Sequence, residues 1–324
     1  MAKAIQIEEF GGPDVLNWCD VKPSSPKADE VLLEHTAIGV NFIDTYHRSG
    51  LYPLNLPSGL GTEAAGKVLM VGNNVKNFKC GDDVAYVGMP IGSYAEQRVF
   101  PADRLVKLPK EISAKIAAAS MLKGLTAWYL IKRSYCVKPK DTVLLYAAAG
   151  GVGLLLGQWA ASIGAKVIGV VSSEEKADLA RRNGCNEILM SNQKNFAKNI
   201  RDLNHGRGVD VVYDSVGKET FFQSLDCLKP HGSMVSYGNA SGAVEPIAPL
   251  ELTKRGSLHL TRPVLFDFIQ EREELLIASK ELFAMIRSGA IKITIGKSLE
   301  LKYAAEAHRA IESRQTVGST LLLP

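Results

Sequence analysis

Three glycines and a lysine carry the most legible chemistry in the chain. In "YAAAGGVGLLLG", residues 146–157, Gly150, Gly151 and Gly153 follow the apolar run "DTVLLYAA" and open a second apolar run with helical length. A glycine-rich turn between a strand and a helix lets the backbone approach a pyrophosphate. The helix behind it offers unpaired N–H groups and the positive end of its dipole. The usual spelling of such a turn is G-x-G-x-x-G, and here Ala148 stands in the first slot. Alanine fits there if its backbone stays out of the left-handed region. Gly150 and Gly151 are the expected points of close approach, and Gly153 permits close packing of helix on sheet.

A second strand, "AKVIGVVS", ends near Val171, so the βαβ unit has about the 30 residues that nucleotide binding needs. The residue after that strand selects the cofactor. An Asp or Glu there binds a ribose 2′-hydroxyl and would repel a 2′-phosphate. This chain has "VVSSEEK", with Ser172 in that place and Lys176 nearby. A hydroxyl and an ammonium suit a phosphate, and Glu174 and Glu175 at a helix start can face solvent and favour the dipole. The expected cofactor is NADP(H).

Composition limits what surrounds this turn. With 324 residues the chain exceeds the size at which one core dominates, so two domains are expected. Its 46% hydrophobic and 22% charged content is enough for a real core. A net charge of +4 without a long Lys/Arg run gives no support to nucleic acid or a membrane surface as a partner. Between Asp141 and Lys166 lie 24 uncharged residues, long enough to suggest a membrane span. The pair Gly150-Gly151 breaks that run into a strand and a buried helix. No signal peptide is legible in "MAKAIQIEEFGG". Five cysteines, never closer than 42 residues, rule out zinc-ligand spacing and fit reduced thiols in the cytoplasm.

The elements that must position the turn follow a clear change of rhythm. Up to about residue 110 the chain reads as short β-prone runs with Gly and Pro breaks, among them "KAIQIEEF", "EVLLEHTAIGV", "AAGKVLMVG", "DDVAYVG" and "YAEQRVF". A helix is expected from about Ser113, as N-cap, to Tyr135. From Lys140 strands and helices alternate: "DTVLLYAA", "GVGLLLGQWAASIG", "AKVIGVVS", "SEEKADLARRNG", "CNEILM", "NFAKNIRDLN", "VDVVYDSVG", "ETFFQSLDCL" and "GSMVSYG". Such alternation implies a doubly wound parallel sheet. Beyond Pro263 come a long helix, a strand over "IKITIG", a short helix and the apolar end "GSTLLL".

Several stretches in one order, "AIGVNFIDTYHRSGLYP", "LPSGLGTEAAG", "LKGLTAWYL", "AAAGGVG", "VVYDSVG" and "TRP", resemble the zeta-crystallin-like NADPH:quinone oxidoreductases, a zinc-independent branch of the medium-chain dehydrogenase/reductase superfamily. The likeness runs from about Ile5 to Pro324. It implies an α/β protein with a β-rich GroES-like catalytic domain, residues 1–125 and 265–324, and a Rossmann cofactor domain, residues 126–264. Homodimers are implied too. The superfamily's zinc enzymes place a Cys ligand in the region of Asn41 and a His where this chain has Thr62, so no metal is expected; Glu63 beside it is expected to be structural.

By the same resemblance, Asn41, Phe42, Ile43, Asp44, Thr45 and Tyr46 would line the nicotinamide end of the cofactor. Tyr129 would approach the phosphates or ribose, Gly151 and Val152 would hold the pyrophosphate, and Ser172, Ser173 and Lys176 would surround the 2′-phosphate. Tyr237, Gly238, Asn239 and Ala240, with Pro263, Val264 and Leu265, would line the nicotinamide side, and Gly318 would lie near it. Close bacterial relatives often carry a Tyr after the third strand, where it can cover the adenine; here that position is Ser191.

With NADPH as hydride source, the protein must place it and stabilise oxyanion charge on a small-molecule quinone. Tyr46 and Tyr52 are the expected donors, since a phenol keeps its O–H at neutral pH and an aromatic ring can flank a flat quinone. Asn41 is expected to orient the nicotinamide amide or the substrate carbonyl. His47 reads as a loop or surface residue, and Arg262 as either an anion contact or an ion partner. Reduction of an activated C=C bond in an enal or enone is the enzymatic alternative. A structural or RNA-binding role is the alternative from another class, and the lack of aromatic-basic clusters speaks against RNA.

Overall fold

A computed structural model describes all 324 residues, and the chain divides into two compact units. The first comprises Met1–Leu125, Ile269–Arg287 and Ile293–Pro324; the second comprises Thr126–Phe268 and Ser288–Lys292.

In the first unit the long strand Glu30–Val40 is the hub. It pairs antiparallel with Glu63–Val71, with Gln97–Pro101 and with the last strand, Ser319–Leu323. That last pairing brings the chain's end into a seven-stranded sheet built mostly from its beginning. A three-stranded sheet, Asn17–Val21, Ala2–Ile7 and Ser58–Gly59, completes the unit. Alternation along Glu30–Val40, switched in phase by an irregularity between His35 and Ala37, buries Val31 and Leu33 before it and Ile38 and Val40 after it in one core with Ile5, Tyr86, Phe100 and Leu322. Val40 runs directly into a short helix, α1 (Phe42–Ser49), which "NFIDTYHRS" encodes by Asn41 at the N-cap, Asp44 at N3 and Gly50 in the left-handed C-cap. The strand expected over "IKITIG" lies further on, at Ile295–Glu300. Ile291 is instead buried at the end of the preceding turn, and residues 292–294 are not extended into the sheet.

The second unit holds one six-stranded, wholly parallel sheet. From edge to edge its strands are Glu187–Met190, Lys166–Val171, Thr142–Leu145, Val209–Asp214, Leu228–Ser236 and His259–Thr261. The chain order therefore reverses between Thr142–Leu145 and Val209–Asp214, which is the switch point at which doubly wound sheets bind ligands. Helix α2 (Ala114–Tyr129) precedes the sheet and runs on as a π-helical turn, Leu130–Ser134. Ser113 caps α2 through its hydroxyl, which accepts from the Ile116 N–H at 3.3 Å. Helix α3 (Gly151–Ile163) is buried on most sides, which accounts for the uncharged run. No helix is long and apolar enough to cross a membrane. Helix α4 (Glu174–Arg182) starts at Ser173 and ends at Asn183, with Gly184 one residue beyond at φ 98°.

Candidate functional site

The glycine turn of the second unit is built as a bare helix N-terminus. Gly150 is the N-cap of α3 in extended conformation, and no side chain caps the helix. The first N–H groups of α3, at Gly151, Val152 and Gly153, have no acceptor within the helix, an arrangement whose chemistry suits an anion. A Cβ on Gly153 would fall onto the Ala147 carbonyl and within 2.9 Å of Ala148 Cα, so this glycine sets how closely helix meets turn. The left-handed residue is Ala147, at φ 50°, and Ala148 is not left-handed. The alanine in the first slot of the fingerprint thus keeps an ordinary backbone because its neighbour takes the unfavourable conformation.

At the end of the second strand, Ser172 and Ser173 are exposed and Lys176 is half-buried. Ser173 Oγ accepts from the Lys176 N–H at 3.4 Å, which closes the first turn of α4. Lys176 Nζ donates to Ser172 Oγ at 3.4 Å. The two groups expected to meet a 2′-phosphate therefore stand side by side, next to the start of a helix. Ser191 follows the third strand, its N–H bonded to the Val171 carbonyl at 2.8 Å, and offers an exposed hydroxyl without a ring.

Tyr129 is buried, with its ring stacked on Phe268 at 4.6 Å and 8°. What it can offer a ligand is its hydroxyl, which burial holds protonated, with Tyr237 and Arg262 close enough to influence it. Arg262 is exposed and donates to the Pro263 carbonyl at 3.1 Å. Gly238 is buried; Tyr237, Asn239 and Ala240 are half-buried; Pro263 and Leu265 are buried and Val264 is exposed. Residues 237–242 lie against the turn after Val209–Asp214, with Ala240 N–H bonded to the Ser215 carbonyl at 3.2 Å and Ser241 N–H to the Val216 carbonyl at 2.7 Å.

In the first unit α1 brings Tyr46 and Tyr52 together, ring centroids 5.2 Å apart and edge to face. The Tyr52 N–H donates to the Tyr46 carbonyl at 3.1 Å, and Phe42 packs on Tyr46 at 5.5 Å. All three aromatics are half-buried, as is Ile43. His47 departs from the sequence reading: it sits on α1 and is only 7% exposed. Asp44, His47 and Arg48, three and four residues apart, share the inward face of the helix. The His47 Nδ1 is buried without a hydrogen-bond partner, and burial lowers the imidazole pKa. Thr45 is also turned inward, with its hydroxyl on the Phe42 carbonyl at 2.7 Å. Gly318 lies at φ 59° where a Cβ would meet the Thr294 carbonyl.

Beneath α1 the core is charged. Asn41 Nδ2 donates to Glu63 Oε1 at 2.7 Å, and Lys123 Nζ donates to Asn41 Oδ1 at 2.7 Å and to Glu63 Oε1 at 3.1 Å. The second carboxylate oxygen of Glu63 accepts from the Leu122 N–H at 2.7 Å. A Cβ on Gly39 would occupy the Glu63 carboxylate, so that glycine makes the space for it. Asp44 accepts from the Asn41 N–H at 2.8 Å, from Tyr94 at 2.9 Å and from Thr62 at 3.2 Å, and burial pushes its pKa up to about 7. The network continues from Tyr94 to His308 Nε2 at 3.0 Å, and Arg48 donates to His308 Nδ1 at 3.0 Å and pairs with Glu312. The carboxylate of Asp44 is thus engaged inside the core, and what this residue can give a ligand is backbone.

These residues do not suit zinc. No cysteine hydrogen-bonds to Asn41 or Thr62, and His308, which shares the hydroxyl of Tyr94 with Asp44, already has a partner on each nitrogen. Of the two carboxylates beside Asn41, Glu63 already has an ammonium at 3.1 Å and Asp44 already accepts from Asn41, Tyr94 and Thr62. Nowhere do three or more His, Cys, Asp or Glu side chains gather in a way that could hold a metal ion.

Lys123, Tyr94, His308 and Asp214 were not singled out by the sequence reading. For Lys123 the signal was a lone charge in the apolar stretch "IAAASMLKGLTAWYL", and for Asp214 an acid at the end of the apolar strand "VDVVYD". Tyr94 and His308 carry no local signal, being 214 positions apart.

Comparison with known proteins agrees with this layout. Residues 27–110 match the alcohol dehydrogenase GroES-like domain, and residues 151–277 match the zinc-binding dehydrogenase family. The chain is 48% identical to the quinone oxidoreductase of Pseudomonas aeruginosa, with 100% of both chains covered. It is 45% identical to a 2-haloacrylate reductase of a Burkholderia species, covering 100% of this chain and 99% of that one. The crystal structure of Escherichia coli quinone oxidoreductase complexed with NADPH superposes with a TM-score of 0.97 at 47% identity, covering 100% of each chain. Two modules in the same order and likeness along the whole length lead to one assignment: the chain belongs to the quinone oxidoreductase family.

Proposed function

We propose that the protein is an NADPH-dependent quinone oxidoreductase that works without a metal. One observation carries the cofactor reading: Ser172 Oγ and Lys176 Nζ meet at 3.4 Å beyond the second strand of a sheet whose first helix starts bare. Gly150, Gly151 and Val152 take the pyrophosphate on backbone N–H groups. Bound NADPH supplies the hydride. Tyr46 and Tyr52 donate hydrogen bonds to the quinone oxygen on which negative charge grows, and their rings present apolar faces to it. Asn41 acts from a fixed pose: Lys123 and Glu63 hold its two ends, and the second lone pair of Oδ1 is what it has left for the nicotinamide amide.

The NADPH preference is tested by calorimetric titration. Lys176→Ala removes a charge-assisted contact worth roughly 1.5–3 kcal/mol, so NADPH binding is expected to weaken about ten- to hundredfold while NADH changes little. Screening at the exposed rim places the result toward the lower end. Ser172→Asp is expected to act in the same direction by repulsion. Equal losses for both cofactors would remove the basis of the assignment.

Reduction of an activated C=C bond is the second reading, favoured by the 45% identity to a 2-haloacrylate reductase, whose substrate carries such a bond. The homodimer is proposed on the resemblance and on the edge strand His259–Thr261, which ends the sheet with Leu260 exposed. Five free thiols support a cytoplasmic setting.

A further inference from the structure

Asp214 ends the strand on the far side of the switch point from the glycine turn, with Tyr213 paired to Leu145 and the Tyr146 N–H on the Tyr213 carbonyl at 3.1 Å. Its side chain is fully buried and accepts four hydrogen bonds. Oδ1 takes the N–H groups of Val216 at 2.7 Å and Gly217 at 3.1 Å; Oδ2 takes the hydroxyls of Thr220 at 2.7 Å and Ser224 at 2.8 Å. One carboxylate therefore fixes both the turn 215–217 and the start of the helix Phe221–Cys227.

That turn is in contact with the 237–242 segment along its length. The Tyr237 N–H bonds to the Asp214 carbonyl at 2.8 Å, Ala240 N–H to Ser215, Ser241 N–H to Val216, and Lys218 N–H to the Gly242 carbonyl at 3.2 Å. Ser241 Oγ also donates to the Val216 carbonyl at 2.8 Å and accepts from the Glu219 N–H at 3.0 Å. Packing leaves no slack: a Cβ on Gly238 would lie 2.5 Å from the Ser215 carbonyl oxygen. Where 215–218 goes, 237–240 must follow. Helix capping alone does not explain the arrangement, because two of the four donors are backbone N–H groups of the turn and not of the helix.

We infer that Asp214 is a positioning residue for the hydride-donating end of the cofactor: it sets the turn against which Tyr237–Ala240 rests. This rests on the reading that Tyr237–Ala240 lines the nicotinamide. Adenosine 2′,5′-bisphosphate, which has no nicotinamide, should be indifferent to it.

The test compares Asp214→Ala, Asp214→Asn, Ser241→Ala and Gly238→Ala. Each is assayed for bisphosphate affinity, for fluorescence of bound NADPH and for kcat with 1,4-benzoquinone. Displacing a reacting group by an ångström costs up to about hundredfold in rate, so Asp214→Ala should lose roughly ten- to hundredfold in kcat and most of the fluorescence gain. Its bisphosphate affinity should stay at the wild-type value. Asp214→Asn should rescue both, since its Oδ1 can accept from the two N–H groups while its NH2 donates to the two hydroxyls. Ser241→Ala, which loosens the contact without entering the core, should fall in kcat in the same sense and serves if Asp214→Ala does not fold. Wild-type kcat and fluorescence in Asp214→Ala or, if that variant does not fold, in Ser241→Ala would overturn the inference. So would a bisphosphate affinity lost in step with kcat. Gly238→Ala displaces the segment directly. If it alone impairs turnover, the role of Asp214 is wrong; if it leaves turnover and fluorescence intact, the nicotinamide reading of 237–240 is what fails.

Discussion

Gly151→Val is expected to leave a folded protein whose affinity for NADPH is weakened by about a hundredfold or more. Gly151 is the first residue of α3, half-buried, at a helix start with no capping side chain. A valine there projects into the space from which a pyrophosphate reaches the N–H groups of Gly151 and Val152. Losing two charge-assisted contacts at roughly 1.5–3 kcal/mol each weakens binding by about a hundredfold or more. The cost to the helix is small, because valine is not a worse helix former than glycine. Gly153→Val is the contrasting variant, since its Cβ would run into Ala147 and Ala148 and the fold itself would suffer. Fluorescence titration with NADPH beside a thermal melt checks both. Wild-type affinity in Gly151→Val would mean that the turn is structural and the cofactor binds elsewhere.

Lys123→Met is expected to be the most destabilising single change beneath α1. Glu63 is fully buried, and Lys123 is the cation that neutralises it at 3.1 Å. Removing one partner of a buried pair costs about 3–5 kcal/mol because the other charge is left without compensation. With roughly 2–4 °C per kcal/mol for a unit of this size, the melting temperature should fall by on the order of 10 °C. Lys123→Met combined with Glu63→Gln removes both charges and should recover most of that loss. Thermal melts of the two variants decide it: a single variant as stable as the wild type, or a double variant worse than the single, would contradict the ion-pair account.

What the sequence showed and what it concealed divide along the range of the interactions. The glycine turn, the strand-helix alternation and the caps at Ser113 and Ser173 are local, and the structure places them as read. Helix α1 is legible in principle, from Asn41 and Asp44 at capping-box spacing with Gly50 behind, whereas the family resemblance of the same segment carries no helical phase. His47 is therefore buried where a surface position is expected, because its inward phase follows only from the helix. The shifted strand Ile295–Glu300 shows the limit of apolar alternation, because "IKITIG" has the pattern but not the pairing partner. The contacts around Lys123 and the chain from Asp44 through Tyr94 to His308 join residues far apart in sequence, and only the fold reveals them.

The central claim is that this chain oxidises NADPH at the expense of a quinone without a metal, and a stopped-flow single turnover tests it most directly. Protein loaded with NADPH, in a chelating buffer, is mixed with 1,4-benzoquinone, with an enone or with no acceptor, and the nicotinamide absorbance is followed. The account predicts fast loss of one NADPH per chain with the quinone, much slower loss with the enone, none without acceptor, and the same rates with and without chelator. No acceleration by quinone, or a reaction that the chelator abolishes, would contradict it.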